Sequence, residues 1–168
     1  MTSKRSVPES ASTNRTKTKS RRGRSQALWR VERAGFLMKS STAAVVSAFG
    51  LSFSEHTTLT ALTTDEKDLA LTQTQLVDRT GSSPSAMTSR IDRLEARGLV
   101  RRAPDPRDRR ATVVRLTPEG SELVWRALEA VEEAQRPLLD QFTDDELETL
   151  VTLLRRMTAT LEQADWYL

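Results

Sequence analysis

The chain of 168 residues is long enough for one domain with a tail but not for two full domains. Hydrophobic residues make up only 37%, cysteine is absent and His56 is the only histidine, which excludes disulfides, cysteine nucleophiles and multi-histidine zinc sites. The net charge is +3, and no stretch approaches the roughly 18 consecutive apolar residues of a membrane span. We therefore expect a cytoplasmic protein with no cofactor and no membrane partner, which completes its lean core by pairing with a second subunit.

The N-terminal segment, residues 1 to 25, is strongly basic. It contains eight basic residues and one acidic residue, a net charge of +7, and it lacks apolar periodicity. Such a segment cannot offset the entropy lost on ordering, so we predict a disordered basic arm. The arm could add nonspecific DNA affinity, but a plain solubilising tail and an organellar transit peptide are alternatives.

Two helices are predicted next. Apolar residues at helical spacing indicate a long first helix over residues 26 to 49, which Gly50 ends. Ser52 and Glu55 then form a capping-box pattern, in which each side chain satisfies a free amide at a helix start. This pattern predicts a second helix that ends near Leu62.

A helix-turn-helix follows a short apolar run. Residues 69 to 71 predict a strand fragment, and Thr72 begins a capping pattern for a third helix of about eight residues, which Gly81 ends. Ser83 is a cap with proline at the first helical position, and a fourth helix is predicted to extend from there to Arg97.

A charged hairpin is predicted after the fourth helix. Residues 99 to 102 and 111 to 116 indicate paired strands, and residues 104 to 110 contain two prolines and five charged residues, typical of an exposed tip. Residues 90 to 115 contain nine arginines and four acidic residues, a net charge of +5, whereas residues 117 to 168 have a net charge of −8. The arginine-rich block is therefore the candidate DNA-binding face.

Two long helices are predicted to complete the chain. Thr117 with the following proline marks the start of the fifth helix, which Pro137 should kink or end. Thr143 and Glu146 form another capping box at the start of the sixth. Its apolar residues alternate by three and four positions, as in a coiled coil that needs a partner helix: Leu147, Leu150, Leu154, Met157 and Leu161.

The central segments closely resemble the MarR family of winged helix-turn-helix regulators. The resemblance rests on Leu71-Thr72 and on three stretches: IDRLEARGLVRR over 91 to 102, DPRDRRA over 105 to 111, and LTPEG over 116 to 120. It covers residues 26 to 165.

The resemblance implies a mainly α-helical fold with a small β-wing. The winged helix-turn-helix spans about residues 53 to 116, and dimerisation helices span about 26 to 50 and 117 to 165. It also implies a homodimer that binds double-stranded DNA at a pseudo-palindromic operator, with repression the commoner role and a small aromatic effector as a further partner.

The orientation of the fourth helix follows from its apolar residues. If Met87, Ile91 and Leu94 face inward, the opposite face presents small residues and arginine to a major groove. Arg90 lies between these faces, where a phosphate contact and a surface side chain that extends its charge to solvent are the alternatives. The candidate DNA-contacting residues of this region are Ser83, Ser85, Ala86, Thr88, Ser89, Arg90 and Arg93.

The hairpin tip supplies the remaining candidates. The resemblance matches Asp108 and Arg110 to the Asp-x-Arg motif of the family's wing, in which the arginine enters the minor groove and the aspartate holds it in place. A guanidinium in a narrow minor groove adds affinity and shape selectivity. Arg107 and Arg109 are expected at phosphates or in solvent.

Candidate effector-binding residues are Trp29, Phe53 and His56. They lie on helices that border the effector pocket in similar proteins, although aromatic residues and a lone histidine at such positions are more often structural. An enzyme is not expected, because the sequence lacks a glycine-rich phosphate loop, a histidine pair and a nucleophile-elbow serine. The remaining alternative is a winged-helix protein-interaction module that no longer binds DNA.

Overall fold

The computed structural model describes residues 10–63, 69–105 and 111–163. The chain divides into two compact units, Met1–Ala43 and Ala44–Leu168. None of the helices within the described ranges combines the length and the hydrophobicity needed to cross a bilayer.

Helix α1 (Ser10–Ser47) is longer than predicted. The predicted disordered arm is wrong for residues 10–25, which are helical, while residues 1–9 lie outside the described residues. The sequence contains no proline between Ser10 and Ser47, and extending an existing helix fixes only one further residue for each hydrogen bond gained. Gly50 adopts a positive φ of 67° just beyond the helix, which agrees with its predicted role as a stop.

Within the first unit, the large apolar side chains of α1 are solvent-exposed. Leu28, Trp29 and Phe36 retain 58%, 56% and 61% of their accessible surface. The guanidinium carbon of Arg30 lies 5.6 Å from the centre of the Trp29 ring. This stretch of α1 is therefore a helix whose apolar residues are uncovered in the single chain.

In the second unit, three helices begin where the capping patterns predict. Helix α2 (Phe53–Ala61) and helix α3 (Gln73–Thr80) each begin with a complete capping box, in which the caps are Ser52 and Thr72. Helix α4 (Pro84–Ala96) has Ser83 as its cap, and the Ser83 hydroxyl accepts a hydrogen bond from the Ala86 amide. The predicted helix-turn-helix is therefore present, and its elements are set by local hydrogen bonds.

Within the described ranges, three short strands form one antiparallel sheet in the order β1-β3-β2. They are β1 (Ala70–Thr72), β2 (Val100–Pro104) and β3 (Thr112–Leu116). The sheet and the helices of this unit enclose a continuous apolar core that includes Leu59, Leu76, Met87, Ile91, Leu94, Val114 and Val124. The predicted fold class, mainly α-helical with a small wing, is confirmed.

Two helices complete the described chain, α5 (Pro118–Leu139) and α6 (Asp144–Gln163). Pro137 does not end α5 at its own position but lies in the last turn, where few helical hydrogen bonds remain to be broken. At the other end of α5, a Cβ added at Gly120 would lie 1.8 Å from the carbonyl oxygen of Leu99. Glycine at this position therefore allows α5 to approach the residue before β2.

Candidate nucleic-acid interface

Helix α4 has the orientation that its periodicity predicts. Met87, Ile91 and Leu94 are completely buried, which fixes the opposite face toward solvent. Ser85, Ala86, Ser89 and Arg93 are exposed on α4, together with Asp92 and Ala96. The structure thus gathers small side chains near the N-terminal end of the helix, with the exposed Arg93 further along.

Ser83 and Thr88 are exposed but have intramolecular partners. The Ser83 hydroxyl caps α4, as described above, and lies 3.4 Å from the hydroxyl of Ser85. The Thr88 hydroxyl donates to the Pro84 carbonyl at 3.0 Å and accepts from the side-chain Nε2 of Gln73 at 2.7 Å. Gln73, at the start of α3, therefore joins the two helices of the motif, a contact that the sequence analysis did not predict.

Arg90 is placed differently from the prediction. Its side chain is buried, with 8% of its surface exposed, and its Nη1 donates to the hydroxyls of Thr58 and Ser82 at 3.0 Å each. Burial lowers the pKa of Arg90 from its ordinary value, as does the neighbouring charge of Arg93, whereas Glu55 raises it. In this position Arg90 is neither the predicted phosphate contact nor a surface side chain, because it faces α2 and the turn before α4.

Arg102 forms a second contact that the sequence analysis missed. From β2 its side chain reaches back to α4, where Nη2 lies 2.5 Å from the Asp92 carboxylate and Nη1 contacts the Glu95 carboxylate. The Arg102 amide also donates to Glu95, at 2.9 Å. We call these three residues the Arg102 clamp. The hydrogen bond that Arg102 donates to Asp92, reinforced by Glu95, raises the pKa of Arg102, although desolvation opposes this.

The C-terminal end of α4 is tied to the start of α2 through Glu55. Its carboxylate accepts from the Ser52 amide and hydroxyl at 2.9 and 2.7 Å, and Nη1 of Arg97 lies 3.4 Å away. Burial alone would raise the pKa of Glu55, but the Ser52 hydrogen bonds and the charges of Arg97 and Arg93 lower it below its usual value. Glu55 is therefore held as a carboxylate that anchors α4.

The hairpin candidates Arg107, Asp108, Arg109 and Arg110 lie outside the described residues. The strands that lead to them are described. Pro104 pairs with Thr112, and beyond that pair the Asp105 amide donates to the Ala111 carbonyl at 2.9 Å. Their DNA contacts stay predictions.

The three candidate effector residues have different environments. Trp29 is exposed in the first unit, Phe53 is half-buried and His56 is buried. Nε2 of His56 has no hydrogen-bond partner among the described residues, and burial lowers the pKa of the imidazole. A cavity of about 720 Å³ does lie in the second unit, but Phe53 and His56 do not line it; its walls include Thr60, Trp125, Leu128, Val131 and Gln135.

Comparisons with known proteins agree with this architecture. The family model described as "MarR family" matches residues 49–111. The HTH-type transcriptional regulator PecS of Dickeya dadantii (strain 3937) is 34% identical over 127 residues, which cover 76% of each chain.

Two solved structures with a similar fold are of proteins that bind or respond to a small molecule. CouR from Rhodococcus jostii RHA1, bound to p-coumaroyl-CoA, is 25% identical with a TM-score of 0.68, covering 82% of this chain and 92% of CouR. BpsR of Bordetella bronchiseptica, whose DNA binding is regulated by 6-hydroxynicotinic acid, is 27% identical with a TM-score of 0.63, covering 80% and 91%. The resemblance seen in the sequence is confirmed: the chain belongs to the MarR family of transcriptional regulators.

Proposed function

We propose that the protein is a sequence-specific DNA-binding regulator that inserts α4 into the major groove of an operator. The observation that carries this proposal is the exposed face of α4, where small side chains at Ser85, Ala86 and Ser89 allow close approach and Arg93 is free to contact a base or a phosphate. We expect Arg93→Ala to alter base preference. The protein would act in the cytoplasm.

The wing supplies the second half of the proposed interface. The resemblance assigns Arg110 to the minor groove and Asp108 to holding that arginine in place, with Arg107 and Arg109 at phosphates or in solvent. The strands that lead to these residues belong to a paired ribbon, and Arg102 attaches one of them to α4. A groove contact by Arg110 would add affinity to the major-groove contacts of α4.

The protein is proposed to be a homodimer on a pseudo-palindromic operator. Helix α6 buries none of its residues in the single chain, and its apolar seam is uncovered, with Leu150, Leu154 and Leu161 exposed by 38%, 40% and 53%. Phe142, which precedes α6, is also exposed. Pairing with a second copy would bury this surface and present two α4 helices to successive half-sites.

We further propose that DNA binding responds to a small aromatic effector and that the protein acts as a repressor. Support comes from CouR and BpsR, which bind or respond to aromatic compounds. Trp29, Phe53 and His56 are the candidate residues for this response.

Binding and oligomeric state test the proposal together. The full-length protein would be titrated against the duplex that it enriches from a random-sequence pool and against a scrambled duplex of the same composition, with its mass measured by sedimentation. We expect a dimer that prefers the enriched duplex, and an Arg110→Ala variant that remains dimeric and folded but binds it far more weakly. A monomer, or no preference for any duplex at low salt, would favour the protein-interaction alternative and refute the proposal.

A further inference from the structure

Arg90 is a buried cation whose partners come from two separate elements. Nη1 donates at 3.0 Å to Thr58, which is completely buried in α2, and at 3.0 Å to Ser82, in the turn between α3 and α4. Thr58 donates in turn to the Ser54 carbonyl at 3.0 Å, and Ser82 contacts the Thr80 hydroxyl at 3.0 Å. A continuous set of hydrogen bonds therefore joins α4, α2 and the end of α3 through one guanidinium.

The partners of Arg90 are neutral hydroxyls. Within the described ranges no carboxylate oxygen lies within 4 Å of the guanidinium. An arginine keeps its charge in proteins, so burying it without an ion pair costs desolvation free energy that an apolar residue of similar size would avoid. A side chain such as methionine would therefore fill this position at a lower cost. The role of Arg90 is better explained by its hydrogen bonds, which depend on direction, than by packing.

We propose that Arg90 is a positioning residue for operator recognition: it sets the orientation of α4 relative to α2 and the preceding turn, and does not itself contact DNA. Its two hydrogen bonds hold the middle of α4 to α2 and to the turn that precedes α4. Recognition of bases depends on contacts that tolerate little displacement of α4. Electrostatic attraction to phosphates does not depend on such exact placement. Loss of the hydrogen bonds should therefore reduce the preference for the operator and leave nonspecific binding unchanged. This inference rests on the DNA binding proposed above.

The Thr58→Val substitution tests this role from a residue that cannot reach DNA. Valine keeps the shape of threonine but removes the acceptor for Arg90. We expect affinity for the enriched duplex to fall about tenfold, roughly 1.4 kcal/mol, with affinity for the scrambled duplex unchanged. The matched control is Thr57→Val, because the Thr57 hydroxyl donates to the Phe53 carbonyl at 2.8 Å and has no contact with Arg90. The control should leave both affinities unchanged.

Arg90→Met distinguishes positioning from a direct phosphate contact. A residue that neutralises one phosphate contributes about 0.9 to the slope of log K against log salt concentration. We expect Arg90→Met to reduce operator preference as Thr58→Val does, with an unchanged slope on the scrambled duplex. The double variant should lose no more preference than Arg90→Met alone, since both changes remove the same contact.

Several results would overturn this role. They are a slope lowered by about 0.9 in Arg90→Met, a Thr58→Val protein with the wild-type preference, and additive losses in the double variant. Circular dichroism and the unfolding midpoint would establish that each variant is folded, and Thr58→Val alone decides the question if Arg90→Met does not fold. A wild-type protein that prefers no duplex would refute the proposed function itself, whereas a discriminating wild type with an equally discriminating Thr58→Val variant would refute only the role of Arg90.

Discussion

Replacing Arg102 by methionine tests whether DNA binding depends on how the hairpin is attached to α4. The substitution removes the charge and the side-chain hydrogen bonds of the Arg102 clamp but keeps most of the aliphatic stem and the backbone hydrogen bond to Glu95. The side chains of Arg102, Asp92 and Glu95 are exposed by 33%, 58% and 37%, so solvent screens both ion pairs. Exposed pairs contribute about 0.2–1 kcal/mol each, and the unfolding free energy should therefore fall by only about 1 kcal/mol.

The expected effect on DNA affinity is larger. Without the Arg102 guanidinium, the Arg102 clamp keeps only the backbone hydrogen bond to Glu95, and two carboxylates near the proposed DNA-binding face lose their cation and repel phosphates. One well-placed groove contact contributes about 1–3 kcal/mol, so we expect Arg102→Met to weaken operator binding roughly 5- to 150-fold.

Fluorescence anisotropy at fixed salt and thermal unfolding would measure the two effects separately. Arg101→Met is the matched control, since it removes the same charge from the adjacent residue of β2, which forms no ion pair within the described part of the chain. An equal loss of affinity in the two variants would attribute the effect to net charge and refute positioning by the Arg102 clamp.

Three further predictions concern stability and the basic segment. Gly120→Ala places a Cβ 1.8 Å from the Leu99 carbonyl oxygen. The substitution should lower the unfolding free energy by about 1–3 kcal/mol or more. An unchanged urea midpoint would contradict this prediction. Burial lowers the pKa of His56 below its usual 6.5, so the unfolded state takes up the proton first as the pH falls. The contribution of neutral His56 to the unfolding free energy should be fully present above about pH 6.5 and decline below it. Between pH values of about 7.5 and 5.5, the His56→Gln variant should therefore lose less unfolding free energy than wild type, as urea unfolding at each pH would show. Deletion of residues 1–24 should weaken binding to all duplexes and flatten its salt dependence, and equal slopes for the full-length and truncated proteins would exclude a DNA-binding role for the segment.

Short-range features of the fold were predictable from the sequence alone. The caps at Ser52, Thr72 and Ser83 join residues three positions apart, so the pattern contains everything that determines the hydrogen bonds. The inward face of α4 was predictable for the same reason, because the helical repeat relates Met87 to Ile91 without reference to the rest of the molecule.

Contacts between distant elements were decided only by the tertiary structure. Arg90 was expected on the surface, but its partner Thr58 is 32 positions earlier in the chain, and only the tertiary arrangement of α2 and α4 brings the two together. The Arg102 clamp likewise requires that β2 turn back along α4. The extent of α1 is a different case: composition predicted disorder where the helix continues to Ser10, and such an extension needs only local hydrogen bonds. Local rules describe what a residue can do, whereas the packing of elements determines which partner it meets.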